Sequence, residues 1–169
     1  PIRIRQPTET QIALIAPIIP VVLINGENAN VTIDGANDTY GGHFALGQGT
    51  LNFKNGVKKT TSANGIYSQT SGVTNISGGS SLILNDANSQ ITGGTVNVTD
   101  NSELVILNGK NNVSELNVTG SNLSIKNNST FTTTGGVVDS ASVVEIEAGS
   151  KLKLNGDNAE VNLTKNDNT

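Results

Sequence analysis

The chain reads as an all-β solenoid: short parallel strands coiled with about three strands per turn of about 21 residues, over roughly six to seven turns. Three observations predict this. Short apolar pairs recur along the chain. One column is expected to stack Val31, Leu51, Val73, Val96, Leu116, Val137 and Val161, a second Phe44, Ile66, Leu82, Leu104, Leu123 and Val144, and a third Ile91, Val113, Phe131 and Leu152. Within each pair one residue separates two apolar ones, as in TVNV at 95–98 and ELVI at 103–106, which is strand periodicity with both apolar side chains sent inward. Finally, large side chains are scarce: three Phe, two Tyr, and no Trp, Met or Cys. A compact globule of this length would need more of them, whereas a solenoid core is a narrow strip that each turn extends by a few Val, Ile or Leu residues. Disordered chains share the Asn, Gly, Ser and Thr richness but not the regular apolar spacing.

Residues 1–30 are expected to form an N-terminal cap and first strand. The run IALIAPIIPVVLI at 12–24 holds Pro17 and Pro20, so it is too short and too broken for a membrane span. It lacks a convincing signal-peptide cleavage site. It reads instead as a cover for the first turn, where a Pro-interrupted apolar strand hides the core yet refuses further pairing. The start at Pro1 suggests a processed or trimmed terminus.

Residues 31–165 are expected to be the solenoid. Its clearest turns are 95–114, 115–136 and 137–156. Val96 and Val98 correspond to Leu116 and Val118. Leu104 and Ile106 correspond to Leu123 and Ile125, then to Val144 and Ile146, and Phe131 and Thr133 correspond to Leu152 and Leu154. Gly72, Gly94 and Gly136 precede first strands of a turn, and Asn-Gly pairs at 25–26, 55–56, 64–65, 108–109 and 155–156 favour corner geometry. The outward positions on one face would be Thr32, Asn52, Asn97, Asn117 and Asn162. Asparagine amides at the stacking distance of about 4.8 Å can form a ladder. On another face the outward positions would be Ile83, Val105, Ser124 and Glu145, with Ile83 and Val105 a candidate apolar contact spot. Residues 166–169 form a polar tail, and the ending KNDNT, without an evident cap, is an expected truncation point.

With a formal net charge of -4 and ten scattered Lys and Arg, the chain has no basic stripe with aromatic interleaving, so nucleic acid is not an expected partner. The absence of Cys removes disulfides and thiolate metal sites. No phosphate-binding glycine loop and no nucleophile elbow is present. Glu145 and Glu147 share one side of a strand and could serve a cation or sugar, though a solvated charge pair is the plainer reading. Glu27, Asp34 and Asp38 offer hard oxygen ligands for Ca²⁺, the one cofactor considered, but without an EF-hand loop or a Gly-Asp nonapeptide repeat. Asp38, Tyr40 and His43 cluster at a loop beside Gly41 and Gly42, and Lys58 and Lys59 make the loop at 57–65 locally basic. Glycoside hydrolysis would need a carboxylate pair and would benefit from aromatic platforms, for which Tyr40 and Tyr67 are the only tyrosines. Catalysis is therefore not the primary expectation.

The segments TVNV at 95–98, LNVTG at 116–120 and LKLNG at 152–156, with VTIDGANDTYGGHF at 31–44 and LNFKNG at 51–56, resemble the passenger region of bacterial autotransporter adhesins and related secreted effectors. The resemblance covers roughly residues 22 to 165 and is one of repeat style. It implies a right-handed parallel β-helix, secreted or held at the bacterial outer-membrane surface, that binds a host-surface protein or glycan or associates with itself, without inserting this segment into a membrane. The alternatives are a carbohydrate-active β-helix, whether polysaccharide-degrading enzyme or glycan-binding module, and a structural stalk. The candidate binding surface comprises Asp38, Tyr40, His43, Lys58, Lys59, Ile83, Val105, Glu145 and Glu147.

Overall fold

A computed structural model describes residues 21–35 and 41–162. The described chain is a parallel β-solenoid of about six turns, with no helix among the described residues. In chain order the first coil holds β1 (Val21–Ile24) and β2 (Asn30–Asp34). The second holds β3 (His43–Leu46), β4 (Thr50–Lys54) and β5 (Lys58–Thr60), and the third β6 (Tyr67–Gln69), β7 (Val73–Ile76) and β8 (Ser81–Leu84). The fourth holds β9 (Gln90–Ile91), β10 (Thr95–Val98) and β11 (Glu103–Ile106), and the fifth β12 (Lys110–Val113), β13 (Glu115–Val118) and β14 (Asn122–Ile125). Then come β15 (Thr130–Val138), β16 (Val143–Ile146) and β17 (Lys151–Val161).

Stacking these coils builds three faces, and every strand pair is parallel. The first face runs β1-β3-β6-β9 and continues through β12 and the leading halves of β15 and β17. The second runs β2-β4-β7-β10-β13 into the trailing halves of β15 and β17. The third runs β5-β8-β11-β14-β16. Between β9 and β12 the side chain of Asn111 supplies the bond, its Oδ1 accepting from the Ile91 amide at 2.9 Å. From there the corner between the first two faces shortens, from Thr92, Gly93 and Gly94 to Ser114 alone. In β15 and β17 it straightens into continuous strand.

The core is the predicted apolar strip. Val96 stacks on Leu116 and Val98 on Val118, Leu104 and Ile106 on Leu123 and Ile125, and these on Val144 and Ile146. Phe131 stacks on Leu152. Several column assignments differ from the expected ones. Thr74, not Val73, lies between Leu51 and Val96 and is fully buried. Val138, not Val137, enters the core, and Val137 is left 39% exposed. Phe44 pairs with Tyr67 rather than Ile66, on the first face, and the column above Leu82 begins with Lys59. Val113 pairs with Thr133, and Phe131 stacks on Asn111. Adjacent apolar residues at Val137–Val138, and a threonine taking the inward place at Thr74, each hide a one-residue slip that exchanges inside for outside.

Of the expected N-terminal cap at 1–30, residues 1–20 lie outside the described residues. Residues 21–24 form β1, paired with β3 from Val21↔His43 to Ile24↔Leu46. Ile24 is buried, whereas Val21 and Leu23 point outward and are mostly exposed.

The glycine corners answer to backbone crowding. Gly136 has φ +95°, and a Cβ there would meet the Leu116 carbonyl oxygen at 2.1 Å. Gly94 has φ +81°, and its Cβ would lie 2.5 Å from the Gly72 carbonyl oxygen. At the corner between the second and third faces a serine file takes over. The amides of Ser80, Ser102 and Ser121 donate to the hydroxyls of Ser102, Ser121 and Ser142, each at 3.2 Å.

Candidate functional site

The described candidate residues do not converge on one point. Ile83, Val105 and Glu145 do share an outward column on the third face, through Ile83↔Val105, Val105↔Ser124 and Ser124↔Glu145. The expected apolar spot is small, because Ile83 is half-buried and Val105 only 8% exposed. A central strand of a flat sheet is screened by the side chains of its neighbours on both sides. Lys58 opens the same face, exposed and opposite Ser81. His43 lies on a different face, half-buried and opposite Val21. Asp38 and Tyr40 lie outside the described residues.

Lys59 corrects the expectation of a basic loop surface. It is fully buried, on the core side of β5, because its neighbour in the strand ladder is Leu82 and alternation turns Lys58 outward. Its Nζ donates to the Gly42 carbonyl at 2.6 Å and the Gly65 carbonyl at 2.8 Å, and lies 5.5 Å from the centre of the Phe44 ring. Burial lowers its pKa to about 8. Carbonyl oxygens and a ring face are groups that favour an ammonium ion. Lys59 therefore clamps two loops from inside the coil and offers nothing to a ligand at the surface.

Tyr67 is likewise internal. Its hydroxyl lies 2.8 Å from Gln69 Oε1 and 2.5 Å from Thr74 Oγ1, which is itself 2.9 Å from Gln69 Oε1, so the two hydroxyl protons are shared around a triangle. Burial raises the phenol pKa well above its ordinary value. The three side chains form a satisfied polar knot in the core, and Tyr67 is no sugar platform.

The two carboxylates at the end of the third face already have partners. Glu145 Oε2 pairs with Lys126 Nζ at 2.8 Å, and Glu147 Oε2 accepts from the Asn127 amide at 2.5 Å. Glu145 and Glu147 both act to raise the Lys126 pKa, the hydrogen bond that Lys126 donates to Glu145 first. Glu27 sits in the turn before β2 and Asp34 ends that strand, and Asp34 Oδ1 accepts from Asn55 Nδ2 at 2.7 Å. Among the described residues no group of three or more His, Asp or Glu side chains assembles to hold a metal.

The expected asparagine ladder is present on the second face. Nδ2 of Asn75, Asn97 and Asn117 donates to Oδ1 of Asn52, Asn75 and Asn97 at 2.8, 2.8 and 2.9 Å. Asn52 Nδ2 opens the ladder on Asn30 Oδ1 at 2.7 Å. Asn75 belongs to it although the misplaced Val73 hid it in sequence. Asn162 does not, since Val161 stacks on Val138 and the outward place falls to Glu160, opposite Val137. Beside the ladder, at the corner with the first face, lies an open depression of about 560 Å³, lined by Ser114, Glu115, Asn117, Thr134, Gly136 and Asn158.

Sequence reasoning missed a set of lysines on the first face. Lys110, Lys151 and Lys153 are exposed and point outward from β12 and β17, beside Thr130 and Thr132 of β15. Far apart in sequence, they become neighbours only through the parallel register. No protein-family model matches the chain, and no curated protein or solved structure matches it.

Proposed function

We propose that this chain is an extracellular or cell-surface adhesion segment that binds a host-surface protein or glycan through the outward faces of its solenoid. The observation that supports this most directly is the presentation of side chains. Three flat parallel faces repeat in register, so one residue type can be displayed at the strand spacing of about 4.8 Å over several coils. Extended surfaces of this kind suit recognition of other extended molecules. The carboxylates that catalysis on a polysaccharide would call upon are tied to Lys126 and to the Asn127 amide instead. The repeated segments at 95–98, 116–120 and 152–156 make the passenger of an outer-membrane autotransporter, wound right-handed, the setting that fits this reading.

The test is attachment of the fluorescently labelled chain to cultured epithelial cells, with and without prior enzymatic removal of surface glycans or proteins. Saturable attachment, reduced by charge reversals on the outward faces, supports adhesion. Attachment that no outward substitution changes would leave the solenoid as a stalk. Release of new reducing ends or unsaturated ends from an acidic polysaccharide would move the reading to a carbohydrate-active enzyme. Protease shaving of intact producing cells, read by an antibody to the chain, tests surface exposure.

A further inference from the structure

The outward carboxylates of the described residues are sorted by face. The second face carries Glu115 and Glu160 outward, and the third carries Glu103 and Glu145. On the first face no outward position among the described residues holds a carboxylate. Its early coils present neutral Ser68 and Gln90. Its late coils present Lys110, Lys151 and Lys153, with Asn112, Thr130 and Thr132 between them. Inward alternation is clear there, since Asn111, Val113, Phe131 and Thr133 are all buried, which fixes the lysines on the outside.

The ladder sets their spacing. Lys110 lies opposite Thr130, which lies opposite Lys151, so two strand steps of about 4.8 Å put the two lysine backbones about 10 Å apart. Lys153 follows Lys151 by two residues on the same face, about 7 Å along the strand. None of the three forms an ion pair among the described residues, where the one ion pair is Lys126 with Glu145. Of the nearest carboxylates in sequence, Glu147 is turned to the Asn127 amide and Asp157 lies past Leu154, where the register of β17 shifts toward the second face. In a chain of net charge -4 this strip is a local reversal of sign.

We propose that the late part of the first face binds a linear acidic polysaccharide, its sulfate or carboxylate groups meeting Lys110, Lys151 and Lys153 and its hydroxyls meeting Asn112, Thr130 and Thr132. The chemistry of the strip selects this class. It has no apolar side chain to enter a bilayer. It has no arginine and no aromatic ring to stack on nucleic-acid bases. Ammonium groups set among hydroxyls and an amide match a polymer that alternates charge with neutral polar groups. This gives the adhesion reading a ligand class, and it rests on that reading only for its biological setting.

The test uses the full chain. Binding of a linear sulfated polysaccharide and of a polyuronate is measured by calorimetry against neutral dextran. The triple variant Lys110→Gln, Lys151→Gln, Lys153→Gln is compared with a control, Lys54→Gln, whose exposed lysine lies on the second face. All four lysines are exposed, and retained circular dichroism and melting confirm that both variants fold. The expected result is binding of an acidic polymer but not dextran. It should weaken with added salt, fall about tenfold or more in the triple variant, and hold within about twofold in the control. Equal binding by the triple variant overturns the proposal, as does an equal loss in the control. So does a preference of the strip for anionic phospholipid vesicles or for duplex DNA over the polysaccharides. Cell attachment separates the two readings. Cells bound equally by both variants, without polysaccharide binding, would sink this inference and leave adhesion standing. Polysaccharide binding that the triple variant loses, with no cell attachment, would sink adhesion and leave the strip.

Discussion

Lys59 shows how a single residue can contradict its neighbourhood in sequence. Lys58–Lys59 reads as a basic loop, yet alternation in β5 gives one lysine to solvent and the other to the core. The buried ammonium costs desolvation, which its two carbonyl bonds offset in part. The linkage has a definite sign. With the folded pKa near 8 and the unfolded value at 10.5, the unfolded chain holds more protons between those limits. Stability should therefore rise as pH climbs from about 8 to about 10.5, by at most about 3 kcal/mol from this group. Urea melts of the native chain and of Lys59→Met across that window measure it, and the increment should be missing from the variant. At neutral pH the same variant leaves the buried Gly42 and Gly65 carbonyls without their donor, so amide exchange in 61–65 should quicken while that of β13 does not change. Gly136 makes a second case. Gly136→Ala combines φ +95° with a Cβ driven onto the Leu116 backbone, whereas Gly109→Ala has φ +71° and open space around the new methyl. Both should destabilise, Gly109→Ala by about 1–2 kcal/mol from conformation alone and Gly136→Ala by more, as thermal melts would show.

At the level of strands and columns the outward asparagines act as a unit. Asn97 both donates to Asn75 and accepts from Asn117. Asn97→Ala should cost about 1–2 kcal/mol, against less than about 0.5 kcal/mol for the exposed Thr119→Ala on the same face, measured by chemical denaturation. The amide ladder was legible in sequence because Asn97 and Asn117 sit centrally in the clear repeats TVNV and ELNV. Its member Asn75 was not, because VTNI at 73–76 puts a valine outside and a threonine inside. Apolar periodicity marks a column only where the inward residues are apolar. It fails where polar groups are buried with partners of their own. Thr74 and Gln69 in the knot with Tyr67 are such a case, as are Asn111 bridging to Ile91 and Lys59 in its carbonyl cage. The lysine strip escaped for another reason: three residues spread from 110 to 153 become one surface only when the register of β12, β15 and β17 is known.

Taken as one body, the solenoid has nearest-neighbour energetics, and its stability should be graded along the axis. Middle coils are shut from both sides, with Val96, Leu104, Leu123 and Ile125 fully buried. Toward the last described coil the same inward columns open, leaving Ile146 46% and Leu154 45% exposed. Each coil in such an array is held by its own strip and by the interfaces it makes with its neighbours. Amide exchange should therefore be slowest in β10, β11, β13 and β14 and faster in β16 and β17. A charge inserted at mid-stack tests the same coupling from within. Ile125→Asp puts a carboxylate between Ile106 and Ile146, where it has neither water nor partner. It should cost more than about 4 kcal/mol. Exchange protection should be lost in β11 and β16 together with β14, while β4, three coils away, keeps most of its own. Uniform loss of protection from β4 to β16 would instead show that the coils unfold as one cooperative block, and the nearest-neighbour description of this rod would have to be abandoned.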